Sequence, residues 1–173
     1  MQFYKANEIY VYQPVLKNDF FDDSEIKHLK NDLGIVYVER PIEFSERVGP
    51  ACMPKTKIAF GSTCYASGWG NTEDYGFFWG SEKPDYLMTA PLNIFNKSQC
   101  FMEALKQNEN VSYEMFEILY ELIPGGICAS NRPKSTCRGD SGGPLICEEN
   151  GKAVIHGIVS GGFDVNFGLF LEL

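Results

Sequence analysis

Short apolar runs rich in β-branched and aromatic residues recur along the chain, which is the pattern of β-strands. The runs cover residues 9–12, 35–38, 65–70, 145–147 and 154–159. The last two flank a polar stretch, 148–151, which predicts a turn between paired strands. The pattern therefore predicts an all-β fold.

One segment has helical spacing instead. Phe101, Ala104 and Leu105 follow each other at intervals that place them on one helix face, and Asn96 or Ser98 can cap its start. This predicts one short helix near 98–107. Polar stretches that contain Gly or Pro predict surface loops at 14–30, 42–63 and 71–83. Residues 118–123 fit either a strand or a loop.

The charge balance narrows the classes of partner. The 173 residues carry 15 basic and 23 acidic side chains, a formal net charge of −8, and no Lys/Arg-rich run. Such a chain is poorly suited to binding a phosphate backbone, so no nucleic-acid partner is predicted. No stretch approaches the roughly 20 apolar residues that a membrane span needs, so no membrane segment is predicted either.

The six cysteines predict disulfides rather than a metal site. None stands in a Cys-x-x-Cys pair, so metal-ligand spacing is absent, and neither a metal nor a cofactor is predicted. Disulfides indicate an oxidising compartment, which predicts a secreted protein. The first residues, 1–5, do not have the pattern of a signal peptide. A chain that lacks its natural N-terminus would reconcile the two observations.

The strongest chemical signal lies at residues 137–145, which read Cys-Arg-Gly-Asp-Ser-Gly-Gly-Pro-Leu. Ser141 stands among glycines that permit a tight turn and a close approach of the backbone to a substrate. A nucleophilic serine needs a base that takes its proton and donors that stabilise an oxyanion. The N–H groups of Gly139 and Ser141 are placed by sequence to be those donors. The segment predicts a catalytic serine rather than an incidental one in a glycine-rich turn.

This segment resembles the active-site serine motif of the trypsin/chymotrypsin-like serine protease family, and other segments resemble that family in the same order. They are 31–35 (the motif of the triad acid), 40–44 and 50–54 (the link between two barrels), 64–70 (the first strand of the second barrel) and 157–160 (the strand lining the substrate cleft). The resemblance covers about residues 9–170. It implies a chymotrypsin-like double β-barrel with the second barrel complete and only the last strands of the first.

The resemblance also implies a division of the chain. A single peptidase domain would span 1–173, with a remnant of the first barrel at 1–48, a connector at 49–63 and the second barrel at 64–173. The strands 9–12 and 35–38 would then form an open edge with exposed apolar surface.

The resemblance assigns Asp32 as the acid that orients and stabilises a catalytic imidazole. The family places the histidine well before this acid, in a Thr-Ala-Ala-His-Cys-like segment that these 173 residues do not contain. His28 lies in a polar stretch and His156 in an apolar strand, so neither is predicted to be the base. We therefore expect the chain as given to be inactive, with the missing segment upstream of residue 1.

Further roles follow from the same resemblance. The counterpart of Asp140 pairs with an N-terminal ammonium released by zymogen cleavage, so Asp140 is expected to be a structural carboxylate. The specificity pocket would be formed by Ser135, Ser160, Gly162 and Gly168. A neutral Ser135 at its base favours large apolar or aromatic substrate side chains. Gly161 stands where the family has Trp, which removes an aromatic platform.

The disulfides implied by the resemblance are Cys64–Cys147 and Cys100–Cys128. Each would close a long loop, worth about 3–5 kcal/mol in the chain-entropy model. Cys52 and Cys137 are left without an evident partner in the chain.

Two functions remain open. The first is a serine endopeptidase, which hydrolyses peptide bonds. Its partners would be a polypeptide substrate or a protein inhibitor, and the complete protein would be a monomer. The second is a secreted, non-catalytic protease homologue that serves as a binding or regulatory domain. An α/β-hydrolase nucleophile elbow is disfavoured, because too few residues follow Ser141 for the acid and histidine that its chain order requires.

Overall fold

The computed structural model describes residues 2–11, 32–72, 83–107, 112–121, 126–131, 134–164 and 167–173. Within these ranges lie eight strands and two helices. The strands are β1 Ala6–Val11, β2 Gly34–Val38, β3 Thr63–Gly68, β4 Met88–Phe95, β5 Ile127–Ser130, β6 Pro144–Glu149, β7 Lys152–Asp164 and β8 Phe167–Glu172. The helices are α1 Lys97–Gln107 and α2 Tyr113–Glu121.

Six strands close into an antiparallel barrel in the order β3-β4-β5-β8-β7-β6. Side chains alternate between the two faces of a strand, so one set from each strand points into the barrel. Cys64, Leu92, Leu145 and Phe170 are fully buried there. The barrel confirms the all-β class and the complete second barrel that the sequence predicts.

The predicted turn between the two runs near residue 150 is a tight hairpin. Glu149 at the end of β6 pairs with Lys152 at the start of β7. Asn150 and Gly151 connect them with φ angles of 53° and 74°, values that these two residue types adopt most readily. The local chemistry of the turn therefore sets the register of the β6–β7 hairpin.

β1 and β2 form a separate two-stranded antiparallel sheet, in which Ile9 lies opposite Val36. Both strands match the apolar runs in the sequence. Ile9 is 65% exposed and Val36 57%, and their neighbours Tyr10, Val11, Ile35 and Tyr37 are exposed as well. These two strands therefore carry apolar side chains of the kind that usually lie in a protein core, and the described residues do not bury them.

Helix α1 begins where the sequence predicts. The Asn96 side chain accepts a hydrogen bond from the N–H of Gln99 at 2.9 Å, and the Gln99 side chain accepts one from the N–H of Asn96 at 3.2 Å. This reciprocal pair is a capping box, so Asn96 rather than Ser98 is the cap.

Helix α2 corrects the interpretation of residues 118–123 as strand or loop. Residues 113–121 are helical, and the fully buried Phe116 packs against Phe101 of α1 and Tyr120 of α2. The spacing of Tyr113, Phe116 and Tyr120 fits one helix face, but a short apolar run is ambiguous until its contacts are known.

The hydrophobic pattern also did not predict strands β4, β5 and β8.

The two disulfides implied by the resemblance are present. Cys64 of β3 is joined to Cys147 of β6, and Cys100 of α1 is joined to Cys128 of β5. The first lies inside the barrel core, and the second ties the helical segment to the barrel wall. Among the described residues, no helix is long and apolar enough to cross a membrane.

Candidate active site

Ser141 lies exposed on a tight turn directly before β6. The N–H of Asp140 donates to the carbonyl of Cys137 at 3.0 Å, and the N–H of Gly143 donates to the carbonyl of Asp140 at 2.8 Å. Gly139 and Gly142 have φ angles of +99° and +80°, which side chains larger than hydrogen rarely tolerate. The turn therefore requires the glycines that flank Ser141.

The Asp140 carboxylate fixes this turn to the end of β3. Its Oδ1 accepts the N–H of Gly70 at 2.7 Å, and its Oδ2 accepts the N–H of Cys137 at 2.9 Å. A Cβ at Gly68 would lie 2.0 Å from Oδ1, and one at Gly70 would lie 2.5 Å from it. Neither position can carry a side chain while Asp140 stays in place.

Sequence reasoning named the Gly68-Trp69-Gly70 segment as the start of a barrel strand and missed its role around Asp140. The signal was present as two glycines separated by one residue, which often mark a close approach of another group. The partner of that approach lies 70 residues further along the chain, so the pattern alone could not identify it.

Two backbone donors on the turn are available to a ligand. Within the described part of the chain, neither the N–H of Gly139 nor that of Ser141 donates a hydrogen bond. The neighbouring amides of Asp140, Gly142 and Gly143 do donate to backbone carbonyls. The two available donors are those that the sequence predicts for an oxyanion hole.

Asp32 and Ser160 meet although they are far apart in the chain. The Ser160 hydroxyl, on β7, donates to Oδ2 of Asp32 at 2.8 Å. The sequence predicted the first as a triad acid and the second as a pocket residue. Because β7 continues past Val159, whose N–H binds the carbonyl of Gly143, this carboxylate is linked to the barrel strand that supports the Ser141 turn.

His156 pairs with a different carboxylate. Its ring is buried, with 1% exposure, and its Nε2 lies 2.6 Å from Oε1 of Glu149 across the β6–β7 hairpin. It is thus a packed strand residue, as expected. His28 lies outside the described residues.

The remaining predicted pocket residues are neighbours. Gly162 on β7 pairs with Gly168 on β8, and a Cβ at Gly168 would lie 2.6 Å from Oγ1 of Thr136. Thr136 directly follows Ser135, whose hydroxyl oxygen is buried and has no hydrogen-bond partner among the described residues. No group of three or more metal-ligating side chains occurs within the described ranges.

A closed antiparallel barrel, an exposed serine on a carboxylate-fixed glycine turn and a second carboxylate bound by the adjacent strand match the architecture of the chymotrypsin-like fold. The family model described as Trypsin matches residues 4–168. The chain belongs to this trypsin family.

Curated relatives agree with this assignment. The chain is 32% identical over 153 residues to "Kallikrein 1-related peptidase b27" of Mus musculus, an alignment that covers 87% of the chain and 49% of the relative. It is 33% identical over 134 residues to "Platelet-aggregating proteinase PA-BJ" of Bothrops jararaca, covering 78% of the chain and 48% of that relative. The chain spans about half the length of the curated relatives it matches.

Proposed function

We propose that this chain is the nucleophile-bearing part of a serine endopeptidase, with Ser141 as nucleophile and Asp32 as triad acid. The observation that carries the proposal is the turn at residues 137–143. It exposes Ser141 beside two available N–H donors, and Asp140 holds it through two hydrogen bonds. Such a preorganised arrangement is what stabilisation of a developing oxyanion requires.

In the proposed reaction, the Ser141 Oγ attacks the carbonyl carbon of a peptide bond and loses its proton to a base. The carbonyl oxygen becomes an oxyanion that accepts hydrogen bonds from the N–H groups of Gly139 and Ser141. The amine leaves with the proton returned by the base, and water then hydrolyses the acyl-enzyme. Asp32 would orient the base and stabilise its charged form.

We infer that the base is a histidine other than His156, since the His156 ring binds Glu149 while Asp32 binds Ser160. Because neither His28 nor His156 stands in the segment that the family resemblance requires for the base, the 173 residues alone should hydrolyse substrates very slowly. In a serine protease of another fold, loss of the histidine lowers kcat by about 10⁶. Asp140 would, as the family resemblance implies, accept an N-terminal ammonium as its third partner.

The same assignment predicts the partners, the oligomeric state and the compartment of the protein. The partners would be a polypeptide substrate or a protein inhibitor, and the complete enzyme would act as a monomer. Two disulfides favour an extracellular or secretory compartment.

A non-catalytic homologue that binds polypeptides is the second candidate. It is favoured by one observation: within the described part of the chain, Asp32 has Ser160 and not a histidine as its hydrogen-bond partner. Such a domain would retain the cleft and its backbone donors and would not turn over a substrate.

Labelling with a fluorophosphonate separates the two candidates. The reagent forms a covalent bond with an activated serine, so the endopeptidase proposal predicts labelling in the presence of added imidazole that Ser141→Ala abolishes. Ser98→Ala, at an exposed position on α1, serves as the matched control and should label as the parent does. Addition of free imidazole should accelerate labelling and ester hydrolysis, because it can act as a base in place of the histidine. A folded protein that remains unlabelled with and without imidazole would support the non-catalytic candidate.

A further inference from the structure

Three residues at the junction of β4 and α1 form an acceptor pattern for N-linked glycosylation. They are Asn96, Lys97 and Ser98, which fit the pattern Asn-x-Ser in which x is any residue except proline. Strand β4 ends at Phe95 and α1 begins at Lys97, so Asn96 alone connects the two elements. Acceptor asparagines of this kind occur in the surface connections of secreted proteins.

We propose that Asn96 is a modification site whose Nδ2 carries an N-linked oligosaccharide. The proposal goes beyond the endopeptidase function, because it requires only that the chain pass through the secretory compartment that its two disulfides favour. The donor would be an oligosaccharide linked to a lipid diphosphate. The Asn96 Nδ2 forms a bond to C1 of the first sugar, the bond between C1 and the diphosphate oxygen breaks, and the lipid diphosphate leaves with its electron pair. A base of the transferase takes the proton that Nδ2 loses.

The hydrogen bonds of Asn96 leave the reacting nitrogen available. Its Oδ1 accepts the N–H of Gln99 at 2.9 Å, and its backbone N–H donates to Oε1 of Gln99 at 3.2 Å. Within the described part of the chain, Nδ2 donates no hydrogen bond. A glycosylated asparagine keeps its oxygen as an acceptor, because the new bond is made at the nitrogen. The sugar and the helix cap therefore use different atoms of one side chain.

The surroundings of Asn96 leave room for a bulky polar group. Asn96 is half-buried, and Ser98 and Gln99 are exposed. The first fully buried residue of α1 is Cys100, which is joined to the barrel wall by its disulfide. The acceptor pattern thus precedes the part of the helix that is fixed to the barrel, and a glycan there would extend into solvent.

The position of Asn96 also separates a glycan from the nucleophile turn. Strands β3 and β4 are antiparallel, so the end of β4 that leads to Asn96 lies beside the start of β3, where Thr63 pairs with Asn93. The Ser141 turn is fixed to Gly70, beyond the opposite end of β3. A six-residue strand such as β3 rises about 17 Å from its first residue to its last. A glycan at Asn96 should therefore leave Ser141 accessible.

Peptide mass spectrometry tests the site on protein that cultured eukaryotic cells have passed through their secretory pathway. We expect the peptide that contains Asn96 to carry an oligosaccharide, and peptide-N-glycosidase treatment to leave an aspartate at position 96. Asn96→Gln and Ser98→Ala should each abolish the modification. Ser98→Thr is the matched control and should retain it, because a threonine also completes the acceptor pattern.

The two disulfides show that the protein has reached an oxidising compartment, so they are measured in the same digest. An unmodified Asn96 in disulfide-bonded protein would overturn the proposal, as would a glycan on Asn96 that survives Ser98→Ala. An oligosaccharide found only at Asn110 would also overturn it. Asn110 begins the second match to the acceptor pattern in the sequence and lies outside the described residues.

The outcome is independent of the labelling experiment on Ser141, because glycosylation requires no activated serine. Protein that is glycosylated at Asn96 and resists fluorophosphonate with imidazole present would support this site and count against the endopeptidase function. Protein that is labelled at Ser141 and unmodified at Asn96 would refute the glycosylation site alone.

Discussion

At the scale of single residues, two glycines decide whether the nucleophile turn can form. Gly68 and Gly70 flank the Asp140 carboxylate so closely that a Cβ on either would overlap it. The hydrogen bond from the N–H of Gly70 depends on the same approach. The geometry around Ser141 is thus set partly by residues of β3 and the residues that follow it.

Gly70→Ala should therefore displace Asp140 and disturb the Ser141 turn. We expect a loss of about 1–3 kcal/mol in the free energy of unfolding, typical of an overpacked site, and loss of fluorophosphonate labelling. Gly49→Ala is the matched control, because no atom lies within 4 Å of the position its Cβ would take and its φ is not in the left-handed region. Denaturant unfolding of both variants measures the difference. If the two variants lose equal stability, the close approach of Asp140 is not the cause.

The pairing of His156 with Glu149 is a structural interaction of the β6–β7 hairpin. Glu149→Ala would leave the buried Nε2 without its acceptor, which should lower the free energy of unfolding by about 1–3 kcal/mol. Glu149→Gln keeps an oxygen acceptor and should lose less. Denaturant titration of the two variants gives the comparison, with fluorophosphonate labelling as the second readout. A loss of labelling at unchanged stability would mean that His156 acts in catalysis.

At the scale of elements, a polar cluster joins the two helices beside the aromatic packing of Phe101 against Phe116. Lys97 of α1 binds the carboxylate of Glu117 of α2 and lies over the Tyr120 ring, 5.1 Å from its centre. The hydrogen bond from Lys97, and then that from Tyr113, lower the pKa of Glu117. Burial raises the pKa of Tyr120. The cluster joins the start of α1 to the middle of α2.

This lowered pKa predicts how helix docking depends on pH. A carboxyl whose pKa is lower in the folded state contributes stability above its ordinary pKa of 4.5, and that contribution disappears as the pH falls through the lowered value. Glu117→Gln should thus destabilise the protein at neutral pH and make little difference in strong acid. The measurement is the free energy of unfolding against pH for the parent and the variant.

The control for that measurement is Glu114→Gln, at an exposed position in the first turn of the same helix. The difference in the free energy of unfolding between Glu114→Gln and the parent should change less between neutral and acid pH. A Glu117→Gln difference that stays constant with pH would show that the carboxylate charge does not support the helix pair.

At the scale of the whole molecule, the barrel and the β1–β2 sheet differ in how well they bury their side chains. The barrel has a closed core and an internal disulfide, whereas six apolar residues of β1 and β2 are more than half exposed: Ile9, Tyr10, Val11, Ile35, Val36 and Tyr37. An exposed apolar pair of strands with open edges favours association with other chains.

The 173-residue chain should consequently self-associate through this sheet. Sedimentation velocity at increasing concentration should show larger species, and the double variant Ile9→Thr with Val36→Thr should reduce them, since both residues face each other across the sheet. Thr keeps the β-branched shape that strands favour. Met102→Thr, at a residue 56% exposed on α1, is the control and should leave association unchanged. A parent chain that remains monomeric at all concentrations would contradict the prediction.

The sequence determined those features that depend on neighbouring residues. The turn at Asn150-Gly151, the start of α1 near Asn96 or Ser98 and the apolar runs of β1, β2, β6 and β7 are set by local backbone preference and side-chain period. The glycine-rich segment around Ser141 could be found in the same way, because a tight turn with positive φ angles requires particular residues at adjacent positions.

Only the tertiary structure decided features that join distant segments. Helix α2 and strands β4, β5 and β8 are short, and their state depends on what they pack against, as Phe116 shows in the helix pair and the fully buried β5 shows in the barrel wall. The approach of Asp140 to Gly70 and of Ser160 to Asp32 likewise connects residues far apart in sequence. Local propensity carries no information about such contacts, because their energy is gained only when the barrel closes and places the segments side by side.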